Sequence, residues 1–120
     1  MTKHISDKQF QKAYRSAALW FVALYMEAFL LRINELKDDV RKIDLIAEIY
    51  DNGEGFDKNE GGTRTRVNSL WRIIESGRAM KALEVAANSN RLKNDFRDAY
   101  DTANELLERI KNGDFVIPEV

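Results

Sequence analysis

Carboxylates are the first residues to weigh, because most other reactive side chains are missing. The 120-residue chain has no cysteine, and its one histidine is His4. Thiol nucleophiles and thiolate metal sites are therefore excluded, and histidine-based acid–base work has little to stand on. Glu35, Asp38 and Asp39 share a face if one helix runs through them, and Asp44, Glu48 and Asp51 follow at i, i+4 and i+7. Carboxylates on adjacent helices suit a hard cation such as Mg²⁺, which takes oxygen ligands. A metal site on this plan uses Glu35, Asp38, Glu48 and Asp51. Lys37, Arg41 and Lys42 are interleaved with these acids, so a solvated, salt-bridged face is the preferred reading.

Three motif comparisons bear on the same region. Glu35-x-x-Asp38 and Glu48-x-x-Asp51 resemble the all-α nucleotide pyrophosphatases, which set Glu-x-x-Glu and Glu-x-x-Asp pairs around Mg²⁺, but they fit only the second half of that pattern. The resemblance implies a Mg-dependent pyrophosphohydrolase as the alternative function. Asp51-Asn52-Gly53-Glu54-Gly55 is similar to the Asp-x-Gly-x-Gly adenine box of histidine-kinase and gyrase-type ATPases. That family needs strands around the box and a second glycine box, and Gly61-Gly62 does not supply one. An EF-hand fails too: counted from Asp51 it puts Gly53 and Gly55 at ligand positions, and from Asp57 it ends on Asn68 instead of a bidentate Glu.

Basic residues offer a second chemistry. From Arg64 to Arg97 eight cations face three acids, whereas from Glu35 to Glu60 nine acids face four cations. The halves can satisfy each other within one chain or across a dimer. Gly61, Gly62 and Thr63 precede Arg64 and Arg66 at a helix start. Unpaired N–H groups, close backbone approach and forked guanidinium donors could together hold a phosphate or carboxylate there. The competing reading is that Asp57 and Glu60 take up these arginines. Arg64, Asn68, Arg72, Glu75 and Arg78 line one stripe of an ideal helix. Nucleic-acid binding through this face is not excluded, although no helix-turn-helix pattern is clear and the net charge is only −1.

The elements that must position these residues are helical. Ser6 and Gln9 form a capping-box pattern with Ile5 and Phe10 at the staple positions, so a helix starts at Asp7. Two stripes at alternating steps of four and three follow. One is Phe10, Tyr14, Ala17, Phe21, Leu24, Ala28 and Leu31; the other runs Val22, Met26, Phe29, Ile33, Leu36, Val40 and Ile43 and continues through Ala47 and Tyr50. The periodicity predicts a helix over 7–36 and another over 39–50 capped by Asp38 or Asp39. A loop over 51–63 with four glycines comes next. A helix or helix pair over 64–88, broken at Gly77, and a helix over 90–112 stopped by Gly113 complete the bundle, with a tail over 113–120 that folds back or reaches a neighbour. The expected fold is all-α: a single compact bundle of four or five helices with one long Gly-rich loop.

The functional expectations follow from this inventory. Glu27 sits among apolar neighbours and should pair with an arginine of the third helix, because burying it alone is costly. Trp20, Phe21, Val22, Tyr25, Met26 and Phe29 form an apolar belt wider than one small bundle needs, which predicts a homo-oligomer, most simply a dimer. The fifteen-residue apolar run 17–31 contains Glu27 and is short for a membrane span. No secretion signal shows at the N-terminus, so a cytoplasmic location with no membrane partner is expected. No cofactor motif is present and none is expected. The reading is a small non-enzymatic helical binding or regulatory protein, acting through oligomerisation and protein or anionic-ligand contacts.

Overall fold

The computed structural model describes residues 2–120. Among them the chain is all-α, with eight helices and no strand. They are α1 (Asp7–Ala17), α2 (Leu19–Leu31), α3 (Ile33–Lys37), α4 (Asp39–Asp51), α5 (Glu60–Glu75), α6 (Ala79–Ala87), α7 (Asn90–Asp95) and α8 (Arg97–Lys111). This is more than the four or five expected, because the predicted helix over 7–36 is split into three and that over 90–112 into two, while the expected break at Gly77 is present.

The first breaks at Ala18, where α1 and α2 meet at 93°. No glycine or proline marks that point. A straight helix over 7–36 would be roughly 45 Å long. The molecule extends only 34 × 34 × 29 Å, so the chain must turn to keep both halves on one core. Ala18 takes up the turn at φ 71, ψ 132, a conformation that non-glycine residues rarely adopt. Gly77, at φ 77, separates α5 from α6, and Phe96 separates α7 from α8. The expected 51–63 loop is shorter: Asn59 caps α5 through Gly62 N–H, so Gly61 and Gly62 lie in the first helical turn. Side-chain capping supplied enough to start a helix through two glycines.

Local signals place three further ends. The Ser6–Gln9 capping box is formed, Asp38 caps α4 by accepting from Val40 and Arg41 N–H, and Gly113 ends α8 at φ 80.

α2 lies at the centre, packed by α1, α5, α6 and α8. Phe21, Val22 and Met26 are 0% exposed and Phe29 is 1% exposed. This corrects the expected interface: those four side chains cannot meet a neighbour because the chain's own core covers them. Trp20 and Tyr25 remain half-buried. A fully buried side chain of this size is worth roughly 1.5–3 kcal/mol over exposure. The second stripe also changes face. Past the break at Asp38, α4 buries Leu45, Ile46 and Ile49, while Val40 and Ile43 point outward. Phe115, Ile117 and Val120 of the tail pack against the core. No single helix among the described residues is long and apolar enough to cross a membrane.

Candidate functional site

The expected anion site at the start of α5 is already filled by a side chain of the same chain. Arg66 Nε donates to both oxygens of Asp57, each at 3.2 Å. Thr63, which is buried, donates its hydroxyl to Asp57 at 3.0 Å, and Arg66 Nη1 donates to the Ala17 carbonyl at 3.1 Å. The Arg66 guanidinium also lies over the Trp20 ring, 5.2 Å from its centroid. One guanidinium thus ties the start of α5 to the α1–α2 bend. The glycines have a steric role: a Cβ at Gly62 would stand 2.9 Å from Asp57 Oδ1, and one at Gly55 would stand 2.6 Å from Oδ2. Arg64 pairs with Glu60 at 3.2 Å. Of the five expected residues, Gly62, Thr63 and Arg66 form an anchor around the Asp57 carboxylate, while Gly61 adjoins the Asn59 cap and Arg64 pairs with Glu60 at the surface.

The four carboxylates of the metal reading are not brought together. Glu35 and Glu48 both accept from Arg32, which sits between them. The hydrogen bond from Arg32 holds the Glu35 carboxyl below its ordinary range, and the same two acids raise the guanidinium's already high pKa. Asp38 spends its side chain capping α4, and Asp51 is the last residue of that helix, roughly 20 Å away along the axis. Among the described residues no three His, Asp or Glu side chains cluster closely enough to hold a metal ion. Glu27 pairs with Arg109 of α8 at 2.8 Å, rather than with the third helix.

A different site emerges where α1, α3, α4 and α5 converge. They enclose a cleft of about 900 Å³. Lys3, Lys12, Lys37, Lys42 and Arg72 line it, against Asp39, Glu75 and the terminal residue Val120. Lys3 lies 3.6 Å from Glu75. Among the described residues, no carboxylate side chain comes within ion-pair reach of Lys12, Lys37, Lys42 or Arg72. Ser16, Thr65, Asn68 and Ser69 add polar groups, and Trp71 also lines the cleft. The sequence pointed to Asn68, Arg72 and Glu75, which share a stripe of α5. It could not indicate Lys12, Lys37 and Lys42, which arrive from three other helices.

The site so defined is an open, positively charged cleft on an all-helical scaffold, suited to holding an anion. Comparison with protein families, with curated proteins and with solved structures finds no match for this chain.

Proposed function

We propose that this chain is a non-enzymatic binding module that takes a small, multiply charged anion in the cleft between α1, α3, α4 and α5. The observation that carries this reading is the excess of cationic over acidic side chains around a concave site, in a chain whose net charge is −1. Cations gathered around one cleft repel across solvent, and an anion among them relieves that repulsion. The cleft falls within the size range of small-molecule sites, roughly 300–1,000 Å³. Hydroxyl and amide groups from Ser16, Thr65, Asn68 and Ser69 supply directional contacts beside the point charges of lysine.

Calorimetric titration and thermal shift with inorganic pyrophosphate and with ATP test this. Binding should be saturable and weaken with salt. A ligand at 100 times its Kd should add about 2.7 kcal/mol of stability. Lys12→Ala with Arg72→Ala should weaken binding at least tenfold, whereas Arg64→Ala, outside the cleft lining, should not. No binding of either anion, or equal binding by the cleft variant, would refute the proposal. Mg-dependent turnover of ATP lost in Glu48→Gln would favour the pyrophosphohydrolase reading. Tighter binding of a single-stranded oligonucleotide than of ATP would favour a nucleic-acid-binding regulator.

A further inference from the structure

α2 is apolar apart from Glu27, yet only part of it is covered. Leu24, Ala28 and Leu31 face outward at steps of four and three, so they form one stripe of the helix. Leu24 is 37% exposed and Leu31 68%. At the N-terminal end of the stripe, Trp20 stacks on Phe96 with ring centroids 6.3 Å apart and touches Phe56 at 5.7 Å. Phe56 is 84% exposed. Trp20, Leu24, Phe56 and Phe96 wall a groove of about 570 Å³. The strip is independent of the basic cleft, with which it shares no lining residue.

We propose that this strip is the contact surface of an isologous dimer, in which α2 packs antiparallel against α2 of a second copy. Size favours that occupant. A fully exposed aromatic side chain presents roughly 150–250 Å², so six residues at these exposures offer on the order of 500 Å². A two-fold contact uses the strip twice and reaches about 1,000 Å², the lower bound for a specific interface.

Shape and charge favour it as well. Ala28 lies between the two leucines, four residues from one and three from the other. A two-fold axis near Ala28 brings Leu24 of one copy beside Leu31 of the other, and the alanine lets the helices approach to about 8 Å. The charges beside the stripe are neutralised within each chain: Glu27 by Arg109 at 2.8 Å, and Arg32 by Glu35 and Glu48. Asp95, Arg97 and Asp98 line the groove at its aromatic end, where Arg97 pairs with Asp101 at 3.1 Å, so it is the leucine half of the strip that meets its copy without unpaired like charges.

Sedimentation velocity on the full chain from 5 to several hundred micromolar tests the proposal. Wild type should move from 13.9 kDa towards twice that mass. Leu24→Glu with Leu31→Glu, both at exposed positions, should raise the dimer dissociation constant at least tenfold with unchanged circular dichroism. A second measurement locates the contact. Because the chain has no cysteine, Ala28→Cys introduces a single thiol, which should form an intermolecular disulfide on mild oxidation. Glu84→Cys, on an exposed face of α6, should not. A monomer at every concentration would overturn the proposal. So would a dimer that survives the double glutamate variant, or one that cross-links equally at both cysteine positions.

Discussion

Removing Asp57 should destabilise the fold well beyond an ordinary surface substitution. Asp57 and Arg66 keep only 11% and 22% of their side-chain surfaces exposed. Asp57→Ala leaves the buried Thr63 hydroxyl without its acceptor and the Arg66 guanidinium without its counter-ion. A hydrogen bond to a charged group is worth about 1.5–3 kcal/mol, and stripping one partner from a buried ion pair costs about 3–5 kcal/mol. Arg66 is partly solvated and keeps the Ala17 carbonyl, so the low end applies, about 2–3 kcal/mol. At this chain length 1 kcal/mol corresponds to about 4 °C in Tm, so Tm should fall by about 10 °C. Urea unfolding followed by circular dichroism reads the same loss as a lower midpoint with unchanged slope. Gly62→Ala should act in the same direction, since its Cβ would stand 2.9 Å from the Asp57 carboxylate. Arg66→Met added to Asp57→Ala should recover part of the loss, because it removes the stranded charge while keeping an apolar stem against Trp20. A loss under about 0.5 kcal/mol for Asp57→Ala, the range of surface substitutions, would refute the reasoning.

Two further outcomes follow. Ala18→Gly should raise stability by about 1 kcal/mol, because relief of a positive-φ backbone, about 1–3 kcal/mol, exceeds the added chain entropy of glycine, about 0.5–1 kcal/mol; a lower Tm would contradict this. The hydrogen bond from Arg78, with Lys81 nearby, holds the Asp7 carboxyl below its ordinary range, and Arg32 does the same for Glu35. The stability these pairs contribute is present above the unfolded-state values and is lost as pH falls through the lower folded values, between about pH 5 and 2. Asp7→Asn with Glu35→Gln should flatten that acid limb, and an unchanged slope in pH-dependent urea titrations would count against it.

A few helix ends, those with local causes, were legible. Ser6 and Gln9 reach each other across one turn, Asp38 reaches its own helix start, and Gly113 needs only its own left-handed φ. The all-α class was legible for the same reason, since four-three spacing records a helix's own periodicity. The break at Ala18 left no such mark. It answers to the size of the core that α1 and α2 must share, and to a guanidinium 49 residues away that holds the Ala17 carbonyl. Glycines at 61 and 62 looked like helix breakers by propensity, but the Asn59 cap and the room Gly62 leaves for Asp57 outweigh that penalty.

What the sequence by itself determined is therefore the inventory: helices, their caps, the charges, and the absence of thiol chemistry. Which face α4 buries and which charges remain unpaired were decided only by tertiary structure. Val40 and Ile43 fit the apolar period as well as Leu45 and Ile46 do, and packing against α5 selected the latter. Glu27 could have met any arginine, and α8 brought Arg109. The cleft draws its cations from positions as far apart as Lys3 and Arg72. Periodicity reports contacts within one helix, whereas these choices are set by how several helices divide one core among themselves.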